Sequence, residues 1–307
     1  MQNRIVAGIA CLCLGVLVFS TQDPLIKAVS DRYPVMEVMA IRCVVALPIM
    51  LLLVHRDVGL GALVSRNFGL LSLRALTLFA SYTAYYLALA ALPLADAVAL
   101  YFMAPLFIMV LSGPYLGERV SWQSFATVSV GLVGVLVMLR PGGGMFEWAA
   151  LLSLLSAGLY GFAQMTARKL GATESSTVMS FYQNGVYLLG AIVTALVFMV
   201  VDVGHITHPS LRFLTRGWEW PTTGDFLMMA SCGVIASAGM TLLSQAYRLA
   251  PANIVATFEY TGILWAPLWG FLFFAEVPHT STVLGGVLIV GAGLFALNAR
   301  QSEKVPA

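Results

Sequence analysis

Long runs of apolar residues, separated by short polar turns, occupy almost the whole chain. The runs cover residues 5–27, 35–54, 68–90, 94–113, 122–139, 148–167, 176–200, 225–247, 252–272 and 281–299. Most of them approach the length of about 20 residues with which an α-helix crosses the hydrocarbon core of a bilayer. Their apolar positions are continuous rather than alternating, which excludes a membrane β-barrel. The pattern therefore predicts an all-α integral membrane protein with ten transmembrane helices, which we number as spans 1 to 10.

Composition supports this prediction and excludes several other classes of protein. The 307 residues are 60% hydrophobic and 10% charged, with a mean hydropathy of +0.89, whereas soluble domains carry about 25% charged residues. The net charge of +2 arises without a basic run, so we expect the lipid bilayer, and not nucleic acid, as a partner. The four cysteines lie in apolar runs without CxxC spacing, so neither a metal site nor a cofactor is expected.

The distribution of Lys and Arg at the span ends predicts how the chain is oriented. With a cytoplasmic N-terminus, nine basic residues face the cytoplasm and five face the other side. Both termini are therefore expected in the cytoplasm. The long polar loop at about 202–224 would then lie outside, and we interpret it as a surface excursion rather than as a lid. The sequence leaves the oligomeric state open, with a monomer as the working expectation.

An internal repeat is visible in the positions of matched residues. An offset of 158 positions relates Pro93 to Pro251, and an offset of 142 relates Gln22 to Gln164. The two offsets differ by 16 residues, which the 202–224 loop would absorb.

The repeat predicts two halves of five helices each. We place the first half at residues 1–140, the second at 141–300 and a cytoplasmic tail at 301–307. Because five is an odd number, the second half would enter the membrane from the opposite side. Inverted repeats of this kind are typical of transporters, with the substrate site near the midplane between the halves.

The starts of spans 4 and 9 and the turns that follow them carry a family resemblance. The starts are Leu92-Pro93 and Ala250-Pro251, and the turns are Leu116-Gly117-Glu118-Arg119 and Ala275-Glu276. Together with the helix count, these motifs resemble the drug/metabolite transporter superfamily, EamA type, over essentially the whole chain. Within that group the chain is most similar to the bacterial aromatic amino acid exporters. The resemblance implies an inner-membrane protein that moves aromatic amino acids, and apolar ones such as methionine, outward through a cavity lined by spans 3, 4, 8 and 9.

One departure from the family pattern concerns the prolines inside spans 4 and 9. Pro105 lies 13 positions before Glu118, whereas the second half has Ile263 at that place and Pro267 four residues later. The two halves are therefore expected to bend at different depths. The predicted hinge and turn residues are Pro93, Pro105, Glu118, Pro251, Pro267 and Glu276. Glu118 and Glu276 are interpreted as hinges or helix caps rather than as catalytic carboxylates.

Glu259 is the best-placed carboxylate of the chain. It lies about 12 Å beyond Pro251 along a helix, close to the centre of a hydrocarbon core about 30 Å thick. The 158-residue offset places Tyr101 at the corresponding depth in the first half. Glu259 could couple substrate movement to protons or hold an ammonium group, and the alternative is a protonated acid that only fixes helix packing.

Two arginines and several amides are the other polar candidates within the spans. Arg42 and Arg74 could each hold a substrate carboxylate, although snorkelling or an ion pair with Asp23, Glu37, Asp96 or Glu259 is the favoured interpretation. Amides can meet a zwitterion without burial of a full charge, and aromatic rings can stack on aromatic or sulfur-containing substrates. The predicted substrate-binding residues are Tyr82, Tyr86, Tyr101, Gln164, Gln245, Glu259, Tyr260 and Trp265, with Glu259, Arg42 and Arg74 as candidates for coupling or ion pairing.

These features favour a secondary transporter that exports a small amphipathic substrate, in particular an amino acid. A lipophilic-cation or drug exporter is the nearest alternative, since Glu259 alone would serve it. An intramembrane enzyme and a purely structural helix bundle are further alternatives. The sequence carries no HExxH, GxSxG or GxxxxGK[ST] motif, so we expect neither an enzyme nor an ATP-driven pump.

Overall fold

The computed structural model describes residues 2–30, 32–92, 97, 100–118, 120–139, 148–201, 208–274, 280–281, 283–288 and 291–292. All regular structure within these ranges is helical. The α-helices whose bounds lie within these ranges are α1 (Gln2–Ser20), α2 (Gln22–Ser30), α3 (Val35–Asp57), α4 (Phe68–Ala91), α5 (Ala104–Leu116), α6 (Trp122–Leu139), α7 (Trp148–Leu170), α8 (Ser176–Val200), α9 (Pro209–Thr215), α10 (Thr223–Leu249), α11 (Ala252–Val255) and α12 (Gly262–Phe274). Two 3₁₀ segments lie at Leu60–Leu63 and Ala256–Thr261.

The described helices coincide closely with the predicted spans. Five segments are long and apolar enough to cross a membrane by length and composition: Asn3–Ile26, Val35–Asp57, Trp148–Leu170, Ser176–Phe198 and Thr223–Leu249. Helix α4, with 24 residues, is about 36 Å long at 1.5 Å per residue. Three predicted features lie partly or wholly outside the described residues. They are most of the start of span 4, which includes Pro93, the turn at Glu276, and part of span 10.

Span 1 was predicted as one helix, and the structure divides it into α1 and α2 at Thr21. The cause is Pro24, which has no N–H to donate and whose ring crowds the carbonyl of the residue four positions earlier. The Thr21 amide instead bonds the Val18 carbonyl at 3.2 Å, and the Thr21 hydroxyl bonds the same carbonyl at 2.7 Å. The helix therefore tightens and restarts one residue later.

Span 9 is also irregular, because α11 passes through a 3₁₀ segment before α12 begins. Two threonines compete for the backbone there: Thr257 donates to the Ile254 carbonyl and Thr261 to the Phe258 carbonyl, each at 2.7 Å. Such bonds from threonine hydroxyls to carbonyls one turn back bend helices, and mid-helix 3₁₀ stretches often mark functional hinges. Glu259 lies within this segment.

The regular helix resumes at the same repeat position in both halves. Helix α5 begins at Ala104 and α12 at Gly262, which the 158-residue offset relates to each other. Helix α12 then runs through Pro267 to Phe274. The position of this irregularity follows the repeat, and the expectation that Pro105 and Pro267 bend the two halves at different depths stays a prediction.

The helices of the two halves pack on each other in related pairs. Helix α1 packs on α10 as α7 packs on α4, and α3 packs on α10 as α8 packs on α4. Helix α5 packs on α7 as α12 packs on α1, and α3 and α8 pack on each other. Replacing each helix by its equivalent in the other half converts every contact into the other contact of its pair. The contact between α3 and α8 is converted into itself.

The long loop contains a helix that the sequence analysis did not predict. Helix α9 packs against α4, and Phe213 is buried against the main apolar core. The backbone N–H of Glu219 donates to the Glu37 carboxylate at 3.2 Å, and the Tyr33 hydroxyl donates to Asp225 at 2.8 Å. The described part of this loop, from residue 208 onward, is thus docked on the helix ends, whereas 202–207 lie outside the described residues.

Glu118 joins four helix ends. It follows Gly117, whose φ of 68° ends α5 in the left-handed conformation that glycine adopts readily. The Glu118 carboxylate accepts the backbone N–H groups of Ala252 and Asn253 at 3.1 and 3.2 Å, and it pairs with Arg168 at 3.4 Å. Arg168 also donates to the carbonyl of Arg248 at 3.2 Å. The end of α5 is thereby tied to the start of α11 and to the last turns of α7 and α10.

The contact between α3 and α10 should tolerate no side chain at Gly233. A Cβ atom there would lie 2.5 Å from the Arg42 carbonyl oxygen and 2.9 Å from the Val45 Cβ. Overpacking of this kind costs about 1–3 kcal/mol, so Gly233→Ala should lower the melting temperature of the purified protein. Gly158→Ala is the matched control, because it has open space and should gain up to about 1 kcal/mol of helix propensity. Equal melting temperatures for the two variants would contradict the close approach of α3 and α10.

Replacement of Glu118 should loosen the junction of helix ends. Glu118→Ala leaves two amide groups of the first turn of α11 without an acceptor, a loss of about 0.5–2 kcal/mol for a helix cap. Glu118→Gln keeps an acceptor oxygen but loses the charge that pairs with Arg168, so it should be less harmful. Thermal unfolding in detergent measures both effects. If the alanine variant unfolds at the wild-type temperature, the contacts of Glu118 do not stabilise the junction.

Candidate functional site

A cluster of aromatic rings lies where the two halves meet. Tyr160 on α7 is its centre, with the ring of Tyr101 at 5.6 Å and that of Tyr82 on α4 at 6.5 Å, measured between centroids. Phe19 of α1 stacks on Tyr82 at 5.9 Å. The cluster therefore joins helices from both halves through residues far apart in the sequence.

Tyr86 and Tyr85 extend the cluster along α4. Tyr82 and Tyr86 are both buried, as expected for residues four apart on one helix face. Tyr85 lies on a different face of α4, and its ring lies 4.8 Å from Tyr101 and 5.7 Å from Tyr86.

Glu259 lies beside Tyr160 with a buried carboxylate. Its Oε1 atom accepts the Tyr247 hydroxyl at 2.6 Å and the Tyr160 hydroxyl at 3.0 Å, and the residue is only 8% exposed. Within the described part of the chain, no donor contacts the second oxygen, Oε2. Cys13 and Thr261 lie close by, with the Thr261 hydroxyl 3.9 Å from the Cys13 sulfur.

Tyr101 and Glu259, which the repeat relates, both contact Tyr160. Tyr101 packs against the ring, and Glu259 accepts its hydroxyl. The acid and the phenol thus meet at one side chain of α7.

The structure brings only some of the other predicted residues to this cluster. Tyr260 turns away from Tyr160 and packs on Phe102, at 5.9 Å, and on Gly131 of α6. Gln245 accepts from Arg248 at 3.4 Å in the last turn of α10.

Trp265 is half-buried on α12, and its indole Nε1 has no partner among the described atoms. Gln164 lies one turn beyond Tyr160 on the same face of α7 and is buried.

Arg42 and Arg74 are buried at 0% and 2% exposure, so neither snorkels to the membrane surface. The ion pairs of the described residues involve other arginines, Arg32 and Arg168. The favoured pairing of Arg42 or Arg74 with Asp23, Glu37 or Glu259 is therefore not seen, and Asp96 lies outside the described residues.

The two arginines differ in the protein groups that they reach. Arg74 donates to the Ser244 hydroxyl at 3.0 Å and to the Met179 carbonyl at 3.4 Å. Arg42 donates to Gln22 at 3.3 Å and reaches the Cys43 thiol, and its guanidinium lies 5.5 Å from the centre of the Tyr187 ring.

Sequence reasoning missed Tyr247 and Tyr187, although both touch the charged groups of the site. A tyrosine close to the end of an apolar helix, such as Tyr247, is typical of the membrane interface. Only the packing of α10 against α7 and span 9 turns it toward Glu259. Its hydroxyl makes the shortest hydrogen bond to the carboxylate.

The arrangement supports recognition of a charged, partly aromatic molecule. A carboxylate held by two phenols can bind an ammonium group or carry a proton, and the rings offer stacking surfaces. No group of three His, Cys, Asp or Glu side chains that could hold a metal occurs among the residues that the structure describes.

Comparisons with known proteins agree with a membrane transporter. The model of the EamA-like transporter family matches the chain twice, at residues 6–140 and 147–298. The pseudopaline exporter of Pseudomonas aeruginosa is 30% identical over 93% of this chain and 94% of its own length. The S-adenosylmethionine uptake transporter of Rickettsia prowazekii is 27% identical over 96% of this chain and 94% of its own length.

A solved crystal structure shows the same fold. It superposes with a TM-score of 0.77 at 18% sequence identity, and the match covers 99% of this chain and 100% of that one.

The expected similarity to aromatic amino acid exporters is not supported, because these relatives are named for other substrates. The broader expectations hold: the chain is a multi-pass, all-helical membrane protein, and the relatives are transporters rather than enzymes. Motifs at the starts of spans 4 and 9 carry the family pattern but not the choice of substrate. The two matches together cover nearly the whole sequence, and the chain belongs to the EamA-like transporter family.

Proposed function

We propose that the chain is a secondary transporter that exports a small amphipathic metabolite, with an amino acid as the simplest case. The observation that carries this proposal is the buried Glu259 carboxylate, held by Tyr160 and Tyr247 within a cluster of aromatic rings. A substrate ammonium could bind Oε2 or replace the phenols at Oε1, while an apolar or aromatic side chain stacks on the rings. S-adenosylmethionine, the substrate named for one relative, combines an amino acid group with an aromatic base.

The proposed architecture is a bundle of ten transmembrane helices in two inverted halves, with a path between them. Two family matches, at 6–140 and 147–298, support a first repeat at 1–140 and a second at 141–300. The related pairs of helix contacts support a twofold axis in the membrane plane. The irregular points at Ala104 and Gly262 would then lie at equivalent depths on either side of the path.

A lipophilic-cation exporter is the second candidate, because a lone buried carboxylate would serve it. The two buried arginines argue against it. A cation near Tyr82 would meet the positive charges of Arg42 and Arg74 as well as the negative charge of Glu259, all of which interact electrostatically with that phenol. A substrate that carries both signs of charge is the better match.

The proposed topology predicts where single cysteines can be labelled. Val64 and Trp220 are 90% and 99% exposed, so a cysteine at either position should be accessible from one side. In a protein whose four native cysteines are replaced, Val64→Cys should react only with a reagent on the cytoplasmic side and Trp220→Cys only with one outside. Labelling of both from the same side would contradict five helices per half with cytoplasmic termini.

Transport assays on Glu259→Gln should separate the two roles of this residue. Proteoliposomes would be tested for exchange and for pH-gradient-driven flux of labelled phenylalanine, methionine and S-adenosylmethionine. If Glu259 carries a coupling proton, the variant should keep exchange and lose the response to the gradient. If it binds the substrate ammonium, both activities should fall.

Glu174→Gln is the control, since this acid bonds Ser65 and Asn67 away from the tyrosine cluster. Wild-type behaviour of Glu259→Gln in both assays would make Glu259 a packing residue. If none of the three solutes moves through the wild-type protein, the proposed substrate class is wrong.

A further inference from the structure

A group of buried nitrogen donors lies between α2, α3 and α10. Arg42 and Gln22 are both fully buried, and they meet through a hydrogen bond from Arg42 Nη1 to Gln22 Oε1 at 3.3 Å. Three further nitrogens of this pair, Arg42 Nε, Arg42 Nη2 and Gln22 Nε2, have no partner in the described structure. All three carry N–H groups, so what they lack is an acceptor.

The orientation of the Gln22 amide follows from the chemistry of its partner. An arginine can only donate, so the amide atom that faces Arg42 must be the oxygen, and the NH₂ group is left free. The two unpartnered nitrogens of Arg42 indicate what kind of group it can bind. Nε and Nη2 form the side of the guanidinium that binds both oxygens of a carboxylate at once.

The backbone around Arg42 is held firmly. Gly233 of α10 lies against the Arg42 carbonyl, as described above, and Asn184 of α8 donates to the next carbonyl, Cys43, at 3.0 Å. The backbone that carries the guanidinium is therefore held by two helices of the second half. No carboxylate of the described residues pairs with Arg42, and an uncompensated buried charge is expensive.

The residues of the second half that correspond to Gln22 and Arg42 have unpartnered acceptors instead of unpartnered donors. The 142-residue offset relates Gln22 to Gln164 and Arg42 to Asn184. The unpartnered atoms of the second pair are Gln164 Oε1 and Asn184 Oδ1, both acceptors. Asn184 Oδ1 is assigned securely, because its Nδ2 donates to a carbonyl. The Arg42–Gln22 pair thus offers free donors, and the equivalent Asn184–Gln164 pair offers free acceptors.

We infer that Arg42 and Gln22 form a carboxylate-binding subsite and that the substrate is a zwitterion whose ammonium group faces Glu259. The inference rests on the proposed function and specifies its substrate class. Arg42 Nε and Nη2 bind the two carboxylate oxygens, and Gln22 Nε2 adds a third donor. The Tyr82 ring, which packs against Phe19 and Tyr160, would then contact the apolar part of the substrate.

Binding of a simple aromatic carboxylate tests the subsite without any transport assay. Sodium benzoate should raise the melting temperature of the purified full-length protein, relative to sodium chloride at equal ionic strength, because a ligand that binds only the folded state stabilises it. Benzamide has the same ring without the charge and should produce no comparable shift. Equal shifts for benzoate and benzamide, or no shift with benzoate, would overturn the inference.

Two variants assign the effect to Arg42. Arg42→Gln should abolish the benzoate shift and, because it removes an uncompensated charge, should melt no lower than the wild type without ligand. Arg42→Lys keeps the charge but loses the two-pronged edge, so its shift should be much smaller. Arg168→Gln is the matched control: it breaks the pair with Glu118 and should melt lower while it keeps the benzoate shift. An Arg42→Gln variant that unfolds earlier and still responds to benzoate would show that Arg42 is structural.

Transport separates this inference from the proposed function. Phenylalaninamide, which lacks the carboxylate, should compete with phenylalanine at least about tenfold more weakly in the wild type, a ratio equivalent to roughly 1.4 kcal/mol. The difference should disappear in Arg42→Lys. If solutes move but the acid and the amide compete equally, the subsite is wrong and the transporter stands. If benzoate binds through Arg42 but no solute moves, the subsite stands and the proposed transport is wrong.

Discussion

Burial inside the helix bundle constrains every polar side chain within it. A buried donor, acceptor or charge must find its partner inside the protein or lose several kcal/mol. Glu259 meets this requirement with two tyrosine hydroxyls, and Glu118 meets it with two backbone amides and Arg168. Arg42 does not meet it among the described residues. Two of these three charged side chains are thus paired within the fold, whereas part of the Arg42 guanidinium has no partner among the described residues.

The interruptions of the helices coincide with the satisfied carboxylates. Glu259 lies in the 3₁₀ segment between α11 and α12, and Glu118 binds the start of the same span. Short 3₁₀ stretches have weaker hydrogen-bond geometry than an α-helix, so span 9 has a deformable point next to its buried acid and an anchor at its beginning. In the proposed topology that anchor lies on the cytoplasmic side, where the ends of α5, α7 and α10 converge.

The repeat relates the backbones of the two halves but not their chemistry. Tyr101 corresponds to Glu259, and Arg42 corresponds to Asn184. Helix packing needs only similar shapes at equivalent places, because it depends on close contact of small and apolar side chains. Charge is free to differ between the halves. A bundle with nearly symmetrical packing can therefore hold different polar groups at equivalent places in its two halves.

Sequence alone determined the class of protein, the positions of the helices and the family. Hydrophobic runs report directly on membrane crossing, and the described helices begin at Val35, Phe68, Trp122 and Trp148, where the runs begin. The break at Thr21 was not predicted, although Pro24 was a signal for it. Only the tertiary structure decided which polar residues meet: Tyr247 with Glu259, Glu118 with the start of α11, and Arg42 with Gln22 but no carboxylate. Periodicity shows that a side chain is buried in a helix, whereas its partner depends on how helices far apart in the sequence pack and rotate against each other.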